Sequence, residues 1–528
     1  MLSTSKTSYW EVRNAFIGAL TKADQHLLVS LAVVSIPTLL ILFRSILSNR
    51  KKIEAPLPPG PRGIPLLGSL PFLDPQLHSY FAELGRQYGP ILKLQLGMKL
   101  AIVISSPTTA REVLKDHDVI FANRDVPVAG LEATYGGSDL VCAPYGPEWR
   151  MLRKVCVLKM LSTQTLNSVY SFRRNEMQNT VKFLSSRAGS AVDIGSQLFL
   201  NVMNVITMML WGDTVQGKER DILGAEFRKA VTELTSLLGT PNLSDFFPAL
   251  RRWDVQGIER KQGLISTKFD KILDRIIQQR LEMDKEVTKS SKTDFLQVLL
   301  KMVDEEEAFT MFHLKALLLN MVVGGTETSS NTTEFAMAEI INKPEIMKKA
   351  QQELDSVVGK EKIVEESDIP KLHYLYAILK ETLRLHPALP LLVPHCPSET
   401  VTVGGYTVPQ GSRIFVNVWA IQRDPSIWDN PLEFLPERFL GENKYDFNGN
   451  DFTYFPFGSG RRICAGITMG ERMVMYSLAT LLHSFDWKLS EGVDKMNVEE
   501  KFGIVLKKRF SLTAIPTPRL SNPKLYEE

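Results

Sequence analysis

Phe457-Gly458-Ser459-Gly460-Arg461-Arg462-Ile463-Cys464-Ala465-Gly466 places one cysteine, flanked by glycines and arginines, at the mouth of an apolar helical run from Ile467 to Phe485. Glycine on both sides lets the backbone curl under a flat ring, and backbone N–H groups can point at the sulfur. Partial positive charge at the helix start predicts a lowered pKa for the Cys464 thiol. A thiolate held there suits a haem iron, where an anionic sulfur favours O–O cleavage over reversible oxygen binding. By itself the stretch could also be a buried free cysteine beside a glycine turn.

Upstream, Gly324-Gly325-Thr326-Glu327-Thr328-Ser329 lies inside an apolar stretch whose spacing predicts one helix from Met311 to Ile341. Two adjacent glycines within a helix cost about 1 kcal/mol each relative to alanine, which a chain tolerates where another group must approach the backbone. Glu327 and Thr328 set a carboxylate and a hydroxyl beside that opening, among Leu317, Leu318, Leu319, Met321, Val322 and Val323. Such a pair can relay protons into an apolar site; the same residues alone fit tight helix packing with a surface carboxylate equally well.

Glu381 and Arg384, in Glu381-Thr382-Leu383-Arg384, share a helix face and can pair, on a helix that Pro387 ends. Trp149 and Arg153 lie four apart on another helical face, and their indole and guanidinium N–H groups suit carboxylates. Each arginine could instead be a solvated surface charge.

Together these segments resemble the cytochrome P450 monooxygenases. The decapeptide is similar to their haem-thiolate signature F-x-x-G-x-R-x-C-x-G at every fixed position, and Gly324–Ser329 to their A/G-G-x-D/E-T-T/S motif. The resemblance implies a mainly α fold with small β-sheets, one large domain behind an N-terminal transmembrane helix. It implies haem b (iron protoporphyrin IX) with Cys464 as axial thiolate, cradled by Phe457, Gly458 and Gly466. Trp149, Arg153 and Arg462 would contact the propionates, with Arg124 and His395 as further candidates. Glu327 and Thr328 would deliver protons during oxygen activation. Arg438, in Pro436-Glu437-Arg438-Phe439, would join Glu381 and Arg384 in a buried triad beneath the haem.

The 528 residues allow a large core, and 44 % hydrophobic with 23 % charged residues is an ordinary globular composition. The net charge of +3 comes without a basic arm or an aromatic-interleaved stripe, so no nucleic-acid partner is expected. Cys142, Cys156, Cys396 and Cys464 are widely spaced, with no C-x-x-C pair for zinc and no disulfide framework. A reducing compartment follows.

Leu27 to Phe43 carries no charge, and the apolar run resumes after Arg44. With Arg44 snorkelling, 27–47 gives a helix of roughly 31 Å, enough to span a bilayer. A buried core helix is the other reading. The division predicted is a polar leader at 1–26, an anchor at 27–47 in membrane lipid, a basic and proline-rich hinge at 48–65, and a catalytic domain at 66–528. Arg44, Arg50, Lys51 and Lys52 against Lys6, Arg13 and Lys22 weakly place the C-terminal side in the cytoplasm. Resemblance to microsomal members puts the single-pass anchor in the endoplasmic reticulum with the catalytic domain facing the cytosol.

Four prolines between Pro56 and Pro61 exclude helix and paired strand and read as a stiff hinge. Ile91–Leu96 and Leu100–Ser105 about Gly97, and Val401–Val403 and Tyr406–Val408 about Gly404-Gly405, read as hairpins. The charged stretch Asp284–Lys292 with Ser290-Ser291 reads as an exposed loop. Arg150, Lys154 and Arg461 would form a basic face toward an acidic electron donor.

Given that fold, the loop Val126–Leu140, the run Leu389-Pro390-Leu391-Leu392-Val393 and the hairpin about Gly503–Leu506 would surround the distal face. Leu319, Val323, Leu389, Leu391, Leu392, Val505 and Leu506 then line an aliphatic pocket for a small hydrophobic substrate. Asn417-Val418-Trp419-Ala420-Ile421-Gln422-Arg423-Asp424-Pro425 resembles the plant group serving specialised metabolism. The Val322–Thr326 run and the C-terminal tail resemble a branch that includes sesquiterpene hydroxylases. The activity expected is insertion of one oxygen atom from O2 into a sesquiterpenoid, or next a flavonoid. Electrons would come from NADPH through a separate flavoprotein reductase, because no flavin or nicotinamide module is evident. A haem-thiolate lyase such as an oxime dehydratase, and a membrane-tethered haem sensor, remain as alternatives.

Overall fold

Helices carry most of the chain, as the three-and-four spacing of apolar residues predicts. The computed structural model describes residues 55–212, 217–285, 294–441 and 445–527. The leader, the 27–47 span, the basic residues up to Lys52 and most of the stretch Asp284–Lys292 lie outside the described residues. One compact unit runs Leu57–Glu528. In it the second half of the proline-rich stretch lies against the sheet. Lys93 N–H donates to the Pro59 carbonyl at 2.8 Å, and a Cβ on Gly60 would sit 2.1 Å from the Lys93 carbonyl oxygen.

The long helix is Met311–Asn342, with a capping box between Thr310 and His313 at its start. Apolar over most of its circumference, it must be buried, and it packs on the helices Ile194–Trp211 and Ile467–Ser484. Among the described residues, Ile194–Trp211 is the helix long and apolar enough to cross a membrane, yet it is largely buried against this core. Its Val202, Val205, Ile206 and Met209 join Leu317, Leu318, Leu319 and Val322 of the long helix in one cluster. Met469 and Met473 of the cysteine helix close that cluster from another side.

A five-stranded sheet runs in the order Ile91–Leu96, Lys99–Ile104, Arg413–Val416, His395–Cys396, Asn123–Arg124. Its last pairing sets Arg124 opposite His395, so register brings together two candidates 271 positions apart in sequence. The small hairpin pairs Val401–Val403 with Tyr406–Val408, turning through left-handed Gly404 (φ 56°) and Gly405 (φ 80°). The loop Val126–Leu140 contains a short helix, Val128–Ala133, whose first N–H donates to Asp245 Oδ1 at 2.8 Å. The helix His373–Leu385 is wholly buried from Leu375 except Tyr376 and stops before Pro387.

Candidate active site

The cysteine loop is built by its own backbone. Cys464 N–H donates to the Phe457 carbonyl at 3.1 Å, and the chain between them passes through left-handed Gly458 (φ 74°) and Gly460 (φ 68°). A Cβ at Gly460 would lie 2.1 Å from the Leu114 carbonyl oxygen, so only glycine fits. Gly466 N–H points at the sulfur, 3.3 Å away. The expected lowering of the thiol pKa does not follow. Burial pushes the Cys464 thiol up, and the Gly466 N–H and the Arg153 charge offset it only in part. One N–H near a helix start is too little to outweigh loss of water; a bound cation would reverse the balance.

Four of the donors expected for carboxylates gather around this loop. Arg462 donates to the carbonyls of Ala122 (2.7 Å), Leu140 (3.2 Å) and Ala143 (2.5 Å), and its guanidinium lies 4.5 Å over the Trp149 ring. Trp149 Nε1 also donates to Leu140 O at 3.1 Å. Arg153 donates to the Ile463 carbonyl at 2.7 Å, next to the cysteine. Arg124 donates to Val393 O at 2.6 Å, while its buried Nε has no partner. Burial, then the Arg462 charge, bring Arg124 down to about 9; burial brings Arg462 to about 10. His395 differs: burial and the Arg124 charge hold it well below its usual value, and Nδ1 is spent on Phe121 O at 2.7 Å. It offers no positive charge.

On the long helix, Glu327 and Thr328 diverge. Thr328 Oγ1 donates back to the Gly324 carbonyl at 2.6 Å. The buried Glu327 carboxylate accepts from Lys507 Nζ at 2.6 Å and from Thr235 Oγ1 at 3.1 Å, both on Oε1. Neither contact is suggested by motif spacing; Lys507 is 180 positions away and Thr235 is 92.

Glu381 and Arg384 are fully buried and pair bidentately at 2.7 and 2.9 Å. Arg438 Nε reaches Glu381 Oε1 at 3.3 Å, and Leu435 N–H donates to the same oxygen at 2.8 Å. Arg384 also holds the carbonyls of Gln422 (2.8 Å), Pro431 (2.8 Å) and Glu433 (3.1 Å).

The cytochrome P450 family profile matches residues 58–513. The chain belongs to the cytochrome P450 family. This P450 is 42 % identical to a flavonoid 3′,5′-hydroxylase of Solanum melongena over 88 % of the chain and 91 % of that protein. It is 41 % identical to a flavonoid 3′-monooxygenase of Petunia hybrida over 89 % and 94 %. Among solved structures, a zebra fish cytochrome P450 with progesterone superposes with a TM-score of 0.73 at 26 % identity, covering 84 % of this chain and 99 % of that one. It is therefore a monooxygenase that uses O2, a redox-partner reductase and a haem held by a cysteine thiolate.

The residues present fit that haem. Cys464 is exposed on its surface although protein encloses it, so its sulfur opens on space inside the fold. Gly324 is exposed midway along a helix otherwise mostly buried, and nothing lies within 4 Å of where its Cβ would stand. Arg124, Arg153 and Arg462 donate here to neutral carbonyls, and Arg124 Nε to nothing, which leaves positive charge for two carboxylates. The nearby Asp139 is engaged by Asn320 Nδ2 at 2.7 Å and Cys142 N–H at 2.5 Å.

The expected pocket residues separate. Leu392 lies 3.7 Å from the Cβ position of Gly458, beside the cysteine loop, and Val323 is half-buried on the Gly324 helix. Leu389 is half-buried. Leu506 N–H donates to Ala388 O at 2.8 Å and Asn331 donates to Leu506 O at 3.1 Å, which fixes Val505 and Leu506 against the long helix. Leu391, by contrast, packs with Phe81, Leu92 and Phe415 in the sheet core, and Leu319 belongs to the helix core. The backbone reversal at Leu392 (φ 51°) turns these two neighbouring leucines to different surroundings. The basic face is also reduced: Arg150 and Lys154 are exposed, but Arg461 pairs with Asp118 at 3.0 Å.

Proposed function

We propose that this P450 hydroxylates a flavonoid, and that Cys464 is the residue that would hold the haem iron. The observation that carries the substrate class is identity of about two residues in five with flavonoid hydroxylases over nearly nine-tenths of this chain and more than nine-tenths of theirs. The branch resemblance that pointed first to a sesquiterpenoid has no counterpart among those relatives, so the two substrates exchange places.

Haem, when bound, supplies oxygen activation. The chain's own part is division of labour around it. Arg462, Arg153, Arg124 and Trp149 would turn their N–H groups from backbone carbonyls to the propionates. Cys464, with Gly466 N–H on its sulfur, would ligate below. Above, Glu327 and Thr328 would hold and pass protons at the Gly324 opening, while Val323, Leu392 and Val505 exclude bulk water and orient the substrate ring. Glu381, Arg384 and Arg438 would fix the backbone that carries the cysteine loop. The exposed Arg150 and Lys154 would meet the reductase. The 27–47 span would anchor the protein in the endoplasmic reticulum with the catalytic unit in the cytosol; carbonate-resistant membrane association, lost on deleting residues 1–47, tests it.

The decisive assay incubates the holoprotein and reductase with NADPH and panels of flavonoids, sesquiterpenes and aromatic oximes. A flavonoid product heavier by one oxygen is expected. Turnover of a sesquiterpene alone would restore the first substrate, oxime dehydration without O2 uptake would show a lyase, and no turnover would leave a sensor.

A further inference from the structure

Glu327 is held from outside its own helix, and its holder is half in solvent. The carboxylate is buried, with Oε1 engaged by Lys507 and Thr235 and Oε2 buried without a partner. Lys507 keeps 43 % of its side-chain exposure against 5 % for Glu327, so the pair runs from the protein surface to the interior. Lys507 stands on the strand Lys507–Lys508, paired with Glu500–Lys501. Two anchors set its position. Asn331 on the long helix grips the preceding carbonyl, Leu506 O, at 3.1 Å. Glu500 on the paired strand accepts from His386 Nδ1 (2.7 Å), His78 Nε2 (3.1 Å), Trp419 Nε1 (2.8 Å) and Arg423 (2.9 Å).

This ion pair is a weak candidate for a purely structural role. A partner this exposed is screened by water and adds little stability, and the hairpin is already fixed by Glu500 and Asn331. What the pair does determine is where one carboxylate points. The Glu327 side chain is turned toward Lys507 and toward Thr235 on the helix Gly217–Leu238, while its neighbour Thr328 closes on its own helix. The oxygen left without a partner, Oε2, is buried, and is the one whose lone pairs remain unused for a proton.

We propose that Lys507 is a positioning residue for Glu327. Its ammonium holds Oε1 so that the buried Oε2, which has no hydrogen-bond partner, is left to accept and donate the proton that the relay passes inward. The inference rests on the reading of Glu327 as a proton-relay group and adds the residue that aims it. Thr235 links the same carboxylate to the helix Gly217–Leu238, so movement of that helix would loosen one of the two contacts on Oε1.

The test uses the full-length, haem-loaded protein with reductase and NADPH, with the flavanone naringenin as probe. NADPH consumption, oxygenated product and hydrogen peroxide are measured together in H2O and D2O, so there is a readout whether or not the probe is hydroxylated. Lys507→Met is expected to slow proton-dependent turnover by about three- to tenfold, short of the hundredfold or more expected from losing the acid in Glu327→Gln. Electrons diverted from product appear as hydrogen peroxide, two per molecule of O2 reduced. The solvent isotope effect should change in Lys507→Met, Lys507→Arg should restore it, and the probe's binding spectrum should stay constant across these variants. A Lys507→Met enzyme with wild-type isotope effect and peroxide yield, or one altered only in KM, overturns the proposal while Glu327→Gln remains impaired. If Glu327→Gln is itself unimpaired, the relay reading fails and the positioning role falls with it.

Discussion

Replacing Glu381 with alanine should cost this P450 its haem. The carboxylate is fully buried and accepts four hydrogen bonds: two from Arg384, one from Arg438 Nε and one from Leu435 N–H. Its loss leaves the buried Arg384 cation without a counter-charge, for which breaking a buried pair costs about 3–5 kcal/mol. The Leu435 N–H, left unsatisfied, adds about 1–3 kcal/mol. The sum, about 4–8 kcal/mol, is comparable with the whole stability of an ordinary domain, about 5–15 kcal/mol. Removing Arg384 as well should not rescue the fold, because the carbonyls of Gln422, Pro431 and Glu433 would lose their donor. The assay is the ratio of haem absorbance to protein in purified variants, with thermal unfolding beside it. Glu381→Ala with wild-type haem content and melting temperature would refute the reasoning.

Three further outcomes follow from the same geometry. Gly324→Ala should stabilise the long helix by about 0.5–1 kcal/mol, since its Cβ meets nothing, and leave turnover intact, as alanine is the other residue of the motif at this position; an unchanged or lowered melting temperature would contradict the open surroundings of Gly324. For His386, burial pushes the pKa down but hydrogen bonds to Glu339 and Glu500 more than restore it, so the folded value is raised. The stability it contributes is therefore complete below about pH 6.5 and lost as pH rises through the folded value. Melting temperature should decline over that interval, and His386→Gln should flatten the decline. Lys154→Glu should slow reduction by the reductase most at low salt, with added salt narrowing the difference from wild type; stopped-flow rates independent of the substitution would remove Lys154 from the docking face.

Much of the fold was legible because its signals are local. The glycines at 404-405, the apolar run after Gly466 and the long stretch through Leu317–Val323 each declare an element within a few residues, and the observed ends lie within a residue or so of those expected. The cysteine loop was legible for the same reason. What escaped depends on contacts between distant segments. Nothing near Glu327 announces Lys507 or Thr235, and nothing in the Leu389–Val393 run tells that Leu391 and Leu392 join different clusters, only Leu392 also reaching the cysteine loop. The direction in which burial pushes the Cys464 thiol was not legible, because a helix start is visible in sequence and desolvation is not. Sequence left the substrate class open because aliphatic side chains suit a terpene as well as a flat aromatic ring.

The most direct measurement is the absorbance of the reduced, carbon monoxide-bound protein, wild type beside Cys464→His. Sulfur ligation by Cys464 predicts a strongly red-shifted Soret band in the wild type and an imidazole-type band at shorter wavelength in the variant. A fully haem-loaded, folded wild type without the red shift, or a Cys464→His protein that keeps it, would contradict the assignment on which the active site is built.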